Sequence, residues 1–284
     1  MGQCDLCGES AGWFHSRHES CNTKAERIKS SIHDLVLNDS AAGKSFPEIK
    51  SAAEQLAAEN KLPIGFFRET LLQAADAAAQ QAALKSPIKV DELNRLVDIL
   101  QGFGIDAYTK ELPQRKWFGM PYVGMSCTLW QVLNNITPYY DGQEHMDFNL
   151  QGGEEPIFGA GKVTYAEERT VNTSSRTFSG VSLPIGAGAY YHFGGSQGHT
   201  VSGLMPLDVG EMLITNRTLY FGGQARTLRI PLASVIRYQS YVDGVGVCES
   251  HGAPKVFVPD YSGMDTGWFF FNLLSAITSK LNQA

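Results

Sequence analysis

The sequence predicts an α+β chain with several domains: a small module rich in cysteine and histidine, a helical bundle, and an antiparallel β-barrel or sandwich with a C-terminal capping helix. Three observations predict this class. Cysteine and histidine residues cluster within 4–21, apolar residues recur with a helical period over 24–104, and alternating segments separated by turns fill 150–284 up to a last amphipathic stretch. We therefore expect the first module over 1–23 and, between the bundle and the β-rich domain, a linker and lead-in strand region over 105–149.

The composition of the chain limits the classes of function. With 284 residues, of which 43% are hydrophobic, the chain can bury more than one core. Its formal net charge of −6 argues against binding nucleic acid through a broad basic face. No stretch approaches the roughly 20 apolar residues of a membrane span, and the polar N-terminus lacks the basic and apolar regions of a signal peptide. We therefore expect a cytoplasmic protein with no transmembrane segment and no nucleic-acid partner.

Two short pairs of metal-ligating residues stand near the N-terminus. Cys4 and Cys7 form a CxxC pair, and His18 and Cys21 form an HxxC pair. Two such pairs let four thiolate and imidazole donors converge tetrahedrally on one Zn²⁺. In a reducing cytosol, clustered cysteines are more often metal ligands or reactive thiols than disulfides. The spacing therefore predicts a structural zinc ion held by Cys4, Cys7, His18 and Cys21. Four protein ligands leave no coordination position for a catalytic water.

Two alternatives to this assignment stay open. His15 lies close enough in the chain to replace His18, although only His18 repeats the two-residue spacing with Cys21. Cys4 and Cys7 could also form a redox-active pair. Such a motif follows a strand in a βαβ unit, and no strand pattern precedes Cys4. The spacing favours His18 as the nitrogen ligand, and it favours zinc binding over redox chemistry as the role of the cluster.

Two aromatic residues, Trp13 and Phe14, lie between the two ligand pairs. A segment of about 20 residues cannot bury enough surface to fold alone, whereas structural zinc contributes on the order of 10 kcal/mol to folding. We therefore expect Trp13 and Phe14 to form the small core of the module and to be its candidate contacts with a protein partner. The pattern resembles treble-clef or ribbon-like zinc fingers in general and names no single family.

Four helical segments follow the cysteine-rich module. An apolar stripe begins at Ile28, a typical helix start lies at Ser45, a third helix is expected to open at Pro63, and a fourth stripe begins at Val90. Short connections between amphipathic helices predict a small bundle. The alanine-rich stretch Ala74–Ala83 permits close approach of another helix, and we expect that contact to be internal rather than made with a partner. The bundle contains no pattern typical of a catalytic site.

Strand-like alternation begins after a stretch rich in proline, glycine and aromatic residues. The segments recur at short, regular spacing, and the last element, Asp265–Leu281, has the period of an amphipathic helix. An antiparallel series that ends in one helix predicts a barrel or a pair of sheets whose open end the helix closes. The predicted strands are Lys162–Arg169, Ala189–Phe193, Gly210–Thr215, Thr218–Phe221, Thr227–Ile230, Val235–Tyr238, Gly244–Cys248 and Val256–Val258.

One run within this half resembles a known family. Residues 210–247 read GEMLITNRTLYFGGQARTLRIPLASVIRYQSYVDGVGV, which is similar to the pattern of bacterial PH-like and GRAM-like domains. The resemblance is strongest there and extends loosely over 163–281. It implies a barrel with a capping helix that binds lipid headgroups, peptides or protein surfaces. Phosphoinositide-binding members carry a basic cluster in the first hairpin, where this chain has Arg169 and Arg176 on either side of a polar NTSS sequence.

These patterns together indicate a protein that binds rather than catalyses. We expect a non-enzymatic adaptor or scaffold that recognises a protein partner through the zinc module and the PH-like domain, and we identify no catalytic residue. The first alternative is a peripheral membrane protein whose PH-like domain binds anionic lipid headgroups. The second is a zinc-dependent hydrolase or nuclease, which would require water to replace one of the four ligands.

Overall fold

The computed structural model divides the chain into two compact units, residues 1–127 and 128–284. We call them the N-terminal unit and the C-terminal unit and describe each by itself. The structure describes residues 2–4, 6–12, 17–62, 67–105, 118–138, 148–172, 182–184, 190–192, 200–261 and 263–283.

The N-terminal unit consists of a short hairpin followed by helices. Strand β1 pairs antiparallel with β2. The longest helix, α1, packs against α2 and α3, and α4 packs against α2 and α3 in turn. A fifth helix, α5, contributes its first nine residues to this unit. The elements are β1 (Gly2–Gln3), β2 (Ser10–Gly12), α1 (Glu19–Ala41), α2 (Phe46–Glu59), α3 (Arg68–Lys85), α4 (Val90–Gly102) and α5 (Gly119–Leu133).

Local sequence explains most of these helices. The stripe of α1 is buried, with Ile32 and Val36 at 0% exposure. Helix α2 begins with a capping box, in which the amide of Ser45 donates to the carboxylate of Glu48 at 2.8 Å. The alanine-rich face of α3 is buried within the unit and lets α1 approach closely. The contact made by Ala74–Ala83 is therefore internal to the bundle.

Helix α5 lies in the interval 105–149, where the sequence predicts a linker and a lead-in strand. In the described part of that interval the structure has a helix and no strand. Its glycines and Pro121 favour a loop, but proline is tolerated in the first turn of a helix, where its missing N–H has no intrahelical partner. The carboxylate of Asp76, from α3, accepts the amide of Gly119 at the first position of α5. That stabilising contact comes from a distant residue, so local patterning does not reveal it.

The C-terminal unit is an antiparallel sheet of seven strands with one helix packed on it. The strand order is β8-β7-β6-β3-β11-β10-β9, and a separate hairpin pairs β4 with β5. The elements are β3 (Pro156–Asn172), β4 (Ser182–Pro184), β5 (Tyr190–His192), β6 (Thr200–Thr215), β7 (Thr218–Gly223), β8 (Thr227–Pro231), β9 (Val235–Ser240), β10 (Val245–Glu249), β11 (Lys255–Pro259) and α6 (Gly267–Leu281).

The connection between β8 and β9 requires the sheet to curl. These two strands are the opposite edges of the sheet, yet only a 3₁₀ turn, Leu232–Ser234, joins them. Six strand spacings across a flat sheet would measure about 29 Å. The four chain steps from Pro231 to Val235 can span at most about 14 Å. The two edges must therefore approach each other, as in a half-closed barrel.

Aromatic side chains fill the core between the curled sheet and α6. The rings of Tyr165, Phe221 and Phe257 lie 5.5 to 5.9 Å apart between centroids. Helix α6 adds Phe269 and Phe270, which are fully buried. The predicted class, a cysteine and histidine cluster followed by helices and an antiparallel curled sheet with a C-terminal helix, is confirmed. No described helix combines the length and the apolar character that crossing a membrane requires.

Candidate metal centre and binding surfaces

The hairpin and the start of α1 bring the two ligand pairs together. Cys4 and Cys7 lie in the turn between β1 and β2, His18 is the residue that precedes α1, and Cys21 lies in the first turn of that helix. The candidate ligand atoms of these side chains all lie within 4.8 Å of one another. Cys4 is buried and Cys7 is exposed, so the cluster lies at the edge of the N-terminal unit. It could bind a metal ion such as zinc.

The backbone of the first turn orients its two thiols. The amide of Gly8 donates to the carbonyl of Cys4 at 2.8 Å, and the amide of Cys4 donates to the carbonyl of Glu9 at 2.7 Å. Gly8 has a φ of +75°, a conformation that glycine adopts at no steric cost. This tight turn holds Cys4 and Cys7 on the same side of the hairpin.

A hydrogen bond determines which nitrogen of His18 faces the thiols. Its Nε2 lies 2.9 Å from the carbonyl oxygen of Ser10 and must donate a proton to it. Nδ1 lies 3.4 Å from Sγ of Cys7 and 3.7 Å from Sγ of Cys21. The Ser10 bond also raises the pKa of His18. In the neutral ring, Nδ1 therefore directs its lone pair toward the cysteines, as a metal ligand requires.

The cysteine environments differ within the cluster. Burial, together with hydrogen bonds to the Cys7 and Cys4 thiols, raises the pKa of Cys21 to about 11. Burial also opposes ionisation of Cys4, but backbone N–H groups led by that of His18 lower the pKa of this thiol to about 6. Several thiolates held this close repel one another, and a divalent cation among them would remove that repulsion and displace the remaining thiol protons.

The structure places each predicted ligand in one cluster. His18 belongs to it, which agrees with the spacing argument. The competing residue His15 and the candidate partner contacts Trp13 and Phe14 lie outside the described residues.

A second feature is the edge strand β9. Among the described strands it pairs with β10 alone. The side chain of Ile236 is 71% exposed. Two residues further along, the hydroxyl of Tyr238 lies 2.7 Å from Oγ1 of Thr278 in α6. Helix α6 also packs against β9. The edge of β9 therefore pairs with no further strand among the described residues, exposes an apolar side chain and lies beside a helix.

The other edge strand, β8, is less suited to accept a new strand. Its exposed side chains are Thr227, Arg229 and Pro231. Proline has no amide to donate and is a common means of protecting a sheet edge. The two edges of the sheet therefore differ in chemistry.

No pattern in the sequence predicts the buried carboxylate of Glu154 in the C-terminal unit. Glu154 is 2% exposed and accepts hydrogen bonds from the hydroxyls of Thr218 and Tyr220, each at 2.5 Å. Burial opposes its ionisation, but these bonds and the amide of Gln151 lower the pKa of Glu154 below its ordinary value. Arg229 adds a cation 3.9 Å away. The partners Thr218 and Tyr220 follow more than 60 residues later, so no spacing in the sequence signals this network.

Comparisons with known proteins add little to these observations. No protein-family model and no curated protein match the chain. Among solved structures, the chain is similar to the N-terminally truncated linker-DH/PH domains of p115-RhoGEF, with 9% sequence identity and a TM-score of 0.25. That match covers 92% of this chain and 72% of the other, and it is a distant likeness. The PH-like architecture of the sheet follows from the strand order and the C-terminal helix of the chain itself.

Proposed function

We propose that the protein is a non-enzymatic adaptor that binds an extended segment of a protein partner along β9. The N-terminal cluster serves this role as a structural zinc site that stabilises its module. The observation that carries the proposal is the edge strand β9, which pairs with β10 alone among the described strands, exposes Ile236 and packs against α6.

The donor set supports a structural rather than a catalytic metal. Zinc in proteins is tetrahedral, and three thiolates with one imidazole satisfy it completely. Catalytic zinc sites keep a position open for water. Nδ1 of His18 is already oriented by the Ser10 carbonyl, so this ligand lies in place before the metal arrives. A closed site of this kind holds a fold together and does not activate water.

The chemistry of β9 supports binding by strand addition. An extended peptide that pairs with an exposed edge gains main-chain hydrogen bonds, and pockets for alternate side chains give specificity. Burying Ile236 against a partner would remove an apolar side chain from water, which contributes about 1.5 to 3 kcal/mol. The exposed side chains of β8 are Thr227, Arg229 and Pro231, so this edge offers no comparable aliphatic side chain to bury.

The test compares two matched variants of the full chain. Ile236→Asp places a charge on the β9 edge, and Val242→Asp places the same charge on another exposed apolar residue, which is 66% exposed in the turn after β9. We expect a partner captured from the native cell to be retained by wild type and V242D and lost by I236D. The captured partner should also slow amide hydrogen exchange within 235–240.

Flotation with anionic vesicles separates this proposal from lipid binding. If the protein floats with vesicles that contain phosphatidylserine, and I236D loses no partner, the PH-like domain binds lipid headgroups and the adaptor proposal is wrong.

A further inference from the structure

A cavity lies in the C-terminal unit, away from β9. It is bounded by residues 132–138, the start of β3, the turn between β6 and β7, and the last turn of α6. Its volume is about 330 Å³, which falls within the range of small-molecule sites. The apolar part of the lining comes from Val132, Ile136, Pro138, Ile157, Ile277 and Leu281.

Two cationic side chains, those of Arg217 and Lys280, line the same cavity. Lys280 donates a hydrogen bond to the carbonyl of Val132. Within the described part of the chain, neither Lys280 nor Arg217 makes an ion pair. Among the described residues of the lining, the one acidic side chain is Glu155, which accepts the hydroxyl of Thr137 at 3.0 Å. The described lining is therefore largely apolar and carries more positive than negative charge.

The position of Lys280 is unfavourable without a ligand. Burial lowers the pKa of its ammonium group, because the charged form has lost water and gained only a carbonyl partner. Arg217 is exposed, and its guanidinium donates to no described residue, so its N–H groups can bind an anion. An anion between these two groups would supply the missing counter-charge.

We propose that this cavity binds a small amphiphilic anion, whose apolar body contacts Ile157 and Ile277 and whose single carboxylate or phosphate group pairs with Arg217 and Lys280. The apolar lining excludes a purely polar ion as the preferred ligand. Glu155 disfavours a group with several negative charges. The site is separate from the β9 edge, since Ile236 is not part of its lining, so either proposal can fail alone.

The experiment titrates the full chain with octanoate in a calorimeter. Octanol tests whether the charge is needed, inorganic phosphate tests whether the apolar body is needed, and anionic vesicles test whether a membrane is the true source of the headgroup. We expect saturable binding of octanoate and at least about tenfold weaker binding of octanol, because a hydrogen bond to a charged group contributes enough for a tenfold change or more.

Three variants locate the binding. Arg217→Gln should weaken octanoate binding about tenfold, whereas the matched change Arg237→Gln, at an exposed arginine of β9, should leave it unchanged. Ile136→Trp should occlude the cavity and abolish binding, and thermal melting checks that each variant is folded. The proposal is wrong if octanoate does not saturate, if octanol or phosphate binds equally well, if only vesicles bind, or if R217Q binds like wild type.

Discussion

The carboxylate of Asp76 accepts the amide of Gly119 at 2.6 Å and so ties α3 to the start of α5, 43 residues later in the chain. Asp76 is 7% exposed and its second oxygen accepts the side-chain amide of Gln80 at 2.7 Å. An anion at the first turn of a helix satisfies amide groups that have no intrahelical partner and interacts favourably with the helix dipole.

Removing this cap should destabilise the N-terminal unit. We expect Asp76→Ala to lower the free energy of unfolding by about 1 to 2 kcal/mol, since it leaves the Gly119 amide buried without its partner. The control is Asp98→Ala, at an exposed position of α4. Urea unfolding of the full chain and hydrogen exchange of the α5 amides measure the effect. Equal stability of the two variants would show that the cap contributes nothing.

The purified chain should contain about one zinc ion, because the cluster supplies four ligands. Cys7→Ser or Cys21→Ser should remove the metal, whereas Cys248→Ser, at a cysteine outside the cluster, should retain it. Metal analysis of protein purified without a chelator gives the stoichiometry. Absence of zinc, or a disulfide between Cys4 and Cys7 in the protein inside the native cell, would contradict the structural-zinc assignment.

His18 should be the nitrogen ligand. Its Nδ1 faces the thiols while the Ser10 carbonyl holds the opposite nitrogen, so His18→Ala should release zinc at a lower temperature than wild type. His15→Ala should have a smaller effect, and His33→Ala, at a half-exposed position of α1 outside the cluster, should have none. A dye that reports free zinc during heating measures the release. Earlier release from H15A than from H18A would reverse the assignment.

Stability of the C-terminal unit should depend on the ionisation of Glu154. The pKa of Glu154 is lowered in the folded state, so the unfolded state binds the proton more tightly. The ionised carboxylate therefore stabilises the fold fully above the ordinary glutamate pKa, about 4.3. That contribution is lost as the pH falls toward the folded pKa. Glu154→Gln should therefore lower stability at neutral pH by about 1.5 to 3 kcal/mol, and the difference should shrink in acid.

The matched control for this measurement is Glu155→Gln, the exposed neighbour, which should follow the wild-type curve closely. Denaturant unfolding of the three proteins at several pH values gives the comparison. A difference between wild type and E154Q that is constant down to acidic pH would show that ionisation of Glu154 does not stabilise the fold.

Helix α6 should be essential to the C-terminal unit. Phe270 is fully buried, and the centroids of its ring and that of Phe158 in β3 lie 5.6 Å apart, so Phe270→Ala should cost about 3 to 5 kcal/mol. Ser279→Ala, at an exposed position of the same helix, is the control. Thermal melting of the full chains measures both. A melting temperature of F270A equal to that of S279A would show that α6 does not seal this core.

The sequence by itself determined the local elements of the protein. The two ligand pairs, the helical stripe that contains Ile32, and the alternation in Thr218–Phe221 each depend on residues within a few positions of one another. Such spacings translate directly into a turn, a helix face or a strand face. For this reason the donor set, helices α1 to α4 and α6, and most strands of the sheet could be predicted, whereas α5 could not.

Only the tertiary structure decided the features that depend on distant residues. The cap on α5 comes from Asp76 in another helix, and the partners of Glu154 lie in a strand more than 60 residues later. The cavity that contains Arg217 and Lys280 forms where a turn meets the end of α6. The free energy of these contacts comes from burial and hydrogen bonds between segments that the chain brings together only on folding, and no periodicity in the sequence records them.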